Sequence, residues 1–139
     1  MRFQDFIESG KVRKGGPDIQ LAKSMIKISD NRREAIRAIP ITQNSASTIM
    51  ANFYDCLREI VEAIGAREGY KVYSHEAYTY FLREKGESLI AEKFDRFRKI
   101  RNRINYYGKP IDMASTTAHT AEIEKIIEEL KQKYLKDLI

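Results

Sequence analysis

The sequence predicts an all-α protein, an antiparallel bundle of four to five helices, and three observations carry that prediction. Apolar residues recur at intervals of three and four through most of the chain, helix start and stop residues bracket those stretches, and no alternating strand pattern of convincing length appears. A chain of 139 residues is long enough for one domain with a real core and short for two. Residues 1–16 read as an N-terminal extension and 17–139 as the bundle domain.

Taken in order, a glycine pair before Pro17 is loop chemistry that leads into a helix start. The first helix follows, with Leu21, Met25, Ile28, Ala35 and Ile39 as its apolar stripe, interrupted by Arg32, and it stops at Pro40. Thr42, Asn44 and Ser45 are cap candidates for a second helix. Its stripe, Ala46, Ile49, Met50, Phe53, Leu57, Ile60 and onward to Ile64, is the clearest in the chain and ends near Gly69. Two long helices joined by a short loop pack antiparallel. Ser74 then caps a short third helix that Gly86 stops, and Ser88 opens a fourth with Leu89, Ile90, Phe94, Phe97, Ile100 and Ile104. That helix closes between Asn105 and Gly108. A Ser/Thr-rich connection at 115–120 precedes a last helix carrying Ile123, Ile126, Ile127, Leu130, Tyr134 and Leu138.

Charge is distributed unevenly. Residues 93–109 hold seven Lys or Arg against one Asp, a local net charge of +6, while the whole chain is +5, so the remainder sums to −1. A concentrated cationic patch on a near-neutral background points to an anionic partner, most commonly phosphate. The single cysteine, Cys56, excludes an intramolecular disulfide and a cysteine-based zinc site, and reads as a small buried side chain. With no signal-peptide run and no segment approaching about 18 uninterrupted apolar residues, the expectation is a soluble, cytoplasmic protein with no membrane partner.

Phasing the fourth helix at about 100° per residue separates the charges. With Phe97 at zero, Ile90, Phe94 and Ile104 define the buried stripe, and Arg101 falls inside it at about 40°. Arg98 and Asn105 lie along the adjoining edge with Asn102 beyond them, whereas Lys93, Arg96, Lys99 and Arg103 form an outer, solvated set. A cation among core positions is costly unless paired, set in an interface, or bound to an anion. The plain structural explanation is a carboxylate partner such as Glu59 or Glu62. The functional one is a phosphate held by Arg98 and Arg101, with Asn102, Asn105 and Tyr106 contributing polar and stacking contacts.

Residues 97–108, Phe-Arg-Lys-Ile-Arg-Asn-Arg-Ile-Asn-Tyr-Tyr-Gly, and residues 69–77, Gly-Tyr-Lys-Val-Tyr-Ser-His-Glu-Ala, resemble the HEPN family of helical domains. The resemblance implies a helical bundle, usually a symmetric homodimer with its arginine motifs facing each other. It also implies either a metal-independent ribonuclease, often a toxin partnered with a minimal nucleotidyltransferase, or a noncatalytic nucleotide- or RNA-binding version. The family's catalytic signature is an Arg, a polar residue, then a His four to six residues on. Arg101 and Asn102 match its first two positions, but 106–108 read Tyr-Tyr-Gly and the histidine is absent.

Metal-free RNA cleavage needs a base, an acid and a cation for the phosphorane charge. Tyrosine near pH 10 is a poor substitute base for histidine near 6.5. On a continuous helix Tyr106 lies about 140° from Arg101, so the helix would have to end by Asn105 for the two to meet. His75 is the remaining stand-in for the base; His119 reads as structural or solvated. The expected function is therefore RNA or nucleotide binding without efficient cleavage. The alternatives are an endoribonuclease using Arg101 and Asn102 with Tyr106 or His75 in place of the motif histidine, and a noncatalytic partner subunit of a minimal nucleotidyltransferase. No cofactor or metal is expected: no glycine-rich phosphate loop, HExxH or paired-carboxylate motif is present.

Overall fold

The longest apolar stripe forms the helix on which the others pack. In a computed structural model describing residues 1–139, this helix, α3 (Ala46–Arg67), has 15 of its 22 residues buried. It follows a short α1 (Phe3–Glu8), a strand β1 (Val12–Lys14) and α2 (Ile19–Arg37). After it come β2 (Tyr70–Val72), α4 (His75–Glu84), α5 (Ser88–Tyr107), α6 (Met113–Tyr134) and a terminal 3₁₀ turn. The architecture is the all-α helical bundle the periodicity predicts, with α2, α5 and α6 against α3 and α4 against α5. A core of 31 buried residues is built around Tyr54, Leu57, Ile60 and Ile64 of α3 and Phe94 and Phe97 of α5.

Three features differ from the sequence reading. Residues 1–16 carry α1 and β1, and Phe3, Phe6 and Val12 are buried in the main core. β1 pairs antiparallel with β2 in the register Val12 to Val72, a ladder too short for periodicity to disclose. A backbone bond from Gly15 to Gly69 at 2.7 Å extends that pairing.

The second difference lies in α2. Its buried face is Ala22, Ile26, Ser29, Arg33 and Ile36, whereas Leu21, Ile28 and Ile39, read as the core stripe, are exposed. The helix rotates because Ser29 and Arg33 find partners inward. The Ser29 hydroxyl donates to the Cys56 carbonyl, and Arg33 meets Glu128 at 2.7 Å. In the same network Lys131, itself buried, reaches Asp30. Glu128 and Lys131 thus tie α6 to α2.

Third, residues 115–120 are helical. Asp112 caps α6 by accepting from the Ser115 backbone, and Thr116, Thr117 and Thr120 donate their hydroxyls to main-chain carbonyls. Threonines satisfied in this way cost a helix little. As its stop signals predict, α5 closes at Tyr107 before Gly108, whose φ of 62° is a left-handed cap.

No helix is long and apolar enough to cross a membrane.

Candidate phosphate-binding site

Arg101 sits where its phase puts it, at the margin of the core, with its side chain 16% exposed. Neither Glu59 nor Glu62 meets it. Glu59 binds Arg32 through two hydrogen bonds, and Glu62 accepts from Arg58 at 2.7 Å. The carboxylate nearest to Arg101 is Asp55, at 3.8 Å, too far for a hydrogen bond. The Arg101 Nε and the Asp55 Oδ1 are buried without a hydrogen-bond partner, as is the Arg58 Nε. An ion pair so placed gains Coulomb energy but leaves donors unsatisfied, which costs about 1–3 kcal/mol per group.

Around Arg101 the helices bring aromatic rings and two more guanidinium groups. Its guanidinium lies 5.8 Å from the rings of both Tyr54 on α3 and Tyr106 on its own helix. It also donates to the Tyr106 hydroxyl at 3.4 Å, so the two side chains meet although α5 continues past Asn105. Their length spans the angular offset. Arg98 is fixed by two bonds to Asp95, which also accepts from Thr79 and pairs with Lys99. Burial works against ionisation of Asp95, yet the bonds from Arg98 and Lys99 outweigh it and hold the carboxyl below its ordinary value.

His75 joins this cluster. It is the first residue of α4, after Ser74, and its Nδ1 lies 3.4 Å from the Tyr54 hydroxyl. Burial, then the charges of Arg58 and Arg101, push the imidazole down to about 4, so it is neutral at physiological pH. Tyr54 is shifted upward by burial, against the pull of Arg58, Arg101 and Arg98, and keeps its proton. Three arginines therefore act on one His–Tyr pair.

The remaining predicted residues are more peripheral. Asn102 is half-buried and Asn105 exposed, and neither side chain makes a hydrogen bond; Tyr106 is exposed beyond its contact with Arg101. Of the outer cations, Lys93 and Arg96 pair with Glu122 of α6 and Lys99 with Asp95, while Arg103 is exposed. His119 lies on α6 and packs edge-on against Phe97 at 5.5 Å, within the field of Arg96 rather than of Arg98 and Arg101. No group of three or more His, Cys, Asp or Glu side chains is placed to hold a metal ion.

Tyr54, Asp55 and Arg58 were missed by sequence reasoning. A signal for them existed: Asp55, Arg58, Glu59 and Glu62 form a polar stripe at intervals of three and four along the most apolar helix. Comparison with known proteins finds no family model, curated protein or solved structure that matches this chain.

Proposed function

We propose that the chain binds a phosphate-bearing ligand, RNA or a nucleotide, at the cluster of Arg98, Arg101, Asn102, Asn105 and Tyr106, and does not cleave RNA efficiently. One observation carries the reading. Arg101 is a mostly buried cation with no hydrogen-bonded carboxylate and an unpartnered Nε. A phosphate oxygen would supply the acceptor that Asp55 does not, and a guanidinium presents paired donors in the geometry that phosphate accepts. The Tyr106 hydroxyl supplies a further donor, and its exposed ring a surface on which a base can stack.

The weakness of the proton-transfer groups supports binding without cleavage. At about 4, His75 is a poor base at neutral pH, and Tyr54 stays protonated. A second reading, a metal-independent endoribonuclease, is favoured by one fact: His75 is neutral and under the influence of the same arginines. It would use His75 as the base, with Arg101 on the phosphorane.

The test is binding of a labelled single-stranded RNA and of a nucleoside triphosphate, with cleavage followed in EDTA. Arg101→Ala is expected to weaken binding about tenfold or more and to lower the salt slope by about one. Arg103→Ala should do much less, and wild type should leave the RNA intact. Absence of affinity at low salt, or affinity indifferent to Arg101, would exclude the site. RNA cutting in EDTA that vanishes in both Arg101→Ala and His75→Ala would replace binding by catalysis.

A further inference from the structure

The two-stranded ladder is a second place where the chain concentrates positive charge. Residues 11–14 and 70–73 hold Lys11, Arg13, Lys14 and Lys71 and no acid. Outside these residues and 93–109 the chain carries 14 Lys or Arg against 19 Asp or Glu. The body of the protein is therefore negative, and its cationic surfaces are α5 and the ladder.

Register makes this charge costly. Strand alternation turns Val12 and Val72 toward the core and sets Arg13 directly opposite Lys71 on the outer face. Like charges opposed in this way destabilise a ladder unless an anion lies between them. The protein supplies none. Most arginines of the bundle are ion-paired, yet Lys11, Arg13, Lys14 and Lys71 form no ion pair. Asp18 lines the same cleft as Arg13 and Lys71, but it is engaged as the cap of α2, accepting from the Leu21 N–H. One step along the ladder the Tyr73 N–H donates to the Lys11 carbonyl at 2.9 Å. The Tyr73 ring is 57% exposed and lies 5.8 Å from the Lys71 ammonium. Unpaired cations beside an open aromatic ring suit a single strand of nucleic acid, whose phosphates take the cations while an unpaired base stacks on the ring.

We infer that an RNA strand held at Arg101 continues onto this ladder, with a phosphate between Arg13 and Lys71 and a base on Tyr73. The ligand of the arginine cluster is then a single-stranded RNA and not a free nucleotide, a statement that rests on the phosphate-binding reading of Arg101. Connectivity brings the two surfaces together. β2 runs into α4 through Tyr73 and Ser74 to His75, whose Nδ1 lies 3.4 Å from the hydroxyl of Tyr54, the ring that the Arg101 guanidinium faces. Two residues span at most about 7 Å, so Tyr73 borders the cluster. Along α3 the interval is also short: Ala66, in the wall of the cleft, lies about 12 Å from Arg58, one of the three arginines acting on His75. A nucleotide fills one of these surfaces; a polymer reaches both.

Fluorescence anisotropy on the full chain, with a labelled single-stranded RNA of about 12 nucleotides and with labelled ATP, tests the path. Arg13→Gln combined with Lys71→Gln changes exposed side chains and should leave circular dichroism unchanged. It is expected to weaken RNA binding about tenfold, to lower the salt slope by about 0.7 for the lost phosphate, and to leave ATP affinity as it is in wild type. Tyr73→Ala should weaken the RNA about fivefold or more, and Tyr73→Phe, which keeps the ring, should not. Arg101→Ala should weaken both ligands. RNA affinity that ignores the ladder variants but still falls in Arg101→Ala would overturn the inference and leave the arginine cluster standing. RNA affinity that falls in the ladder variants and ignores Arg101→Ala would overturn the reading at Arg101 and with it the continuous path. Equal loss of ATP and RNA in the ladder variants, or loss of binding to anionic vesicles in place of RNA, would also overturn it.

Discussion

At the scale of single residues, His75 makes the folded state sensitive to acid. Its imidazole titrates at about 4 in the fold because burial and the charges of Arg58 and Arg101 oppose protonation. In the unfolded chain it titrates near 6.5. Between these values the unfolded state binds a proton that the folded state does not, so stability rises with pH across this window and is lost as pH falls through it. His75→Gln removes the titration and keeps a group that can bond the Tyr54 hydroxyl. Urea midpoints at pH 5 and pH 7 should therefore differ less in the variant than in wild type, by the equivalent of ~1 kcal/mol once solvent screening of a half-buried ring is allowed for. An equal difference in both proteins would remove His75 from the acid response. The place of Arg101 was legible in the sequence, because helical phase alone puts it at the core margin. Its real neighbours, Asp55, Tyr54 and His75, were not, since they depend on how α3 and α4 are turned toward α5.

At the scale of elements, the corner between α3 and β2 depends on the absence of one methyl group. Gly69 has φ +91°, and a Cβ there would stand 2.3 Å from the Gly15 carbonyl oxygen. Gly108 also has positive φ, +62°, yet a Cβ there meets nothing within 4 Å. Gly108→Ala should therefore cost only the left-handed backbone penalty, about 1–2 kcal/mol. Gly69→Ala should cost more, about 3 kcal/mol, because backbone strain and the clash with the Gly15 carbonyl add. Denaturant midpoints of the two variants separate these contributions, and equal losses would show that the Gly15–Gly69 approach is unimportant. Helices α3, α4 and α5 were readable because their periodicity, caps and stop residues agree. The start of α6 was not. Its Ser and Thr residues look like a loop until their hydroxyls are seen to bond main-chain carbonyls of α6 and, from Thr116, of Ala46. The rotation of α2 was hidden for a related reason: a buried Arg33 becomes tolerable only once Glu128 of α6 lies beside it.

At the scale of the whole molecule, the first sixteen residues contribute Phe3, Phe6 and Val12 to the core. Phe3 packs on Tyr70 at 5.1 Å and on Phe81 at 5.4 Å, and Phe6 on Tyr80 at 5.2 Å. Truncating a buried phenylalanine costs about 3–5 kcal/mol, a large share of a stability of about 5–15 kcal/mol. Phe3→Ala should lower the unfolding free energy by that amount in a urea titration, without loss of two-state behaviour. A loss below about 1 kcal/mol would make α1 a loosely attached appendage. Nothing local signals this role, because a six-residue helix and a three-residue strand carry too little pattern and their partners lie far along the chain.

That separation has a temporal side. Phe3 and Phe6 leave the ribosome well before Tyr70, Tyr80 and Phe81, so during synthesis α1 is an apolar segment with no surface to join. The two-stranded ladder cannot close until β2 has emerged, and by then α2 and α3 are already available to pair with each other. The beginning of the chain is thus the part of the core that waits, and the hairpin of α2 and α3 is the scaffold on which it later settles.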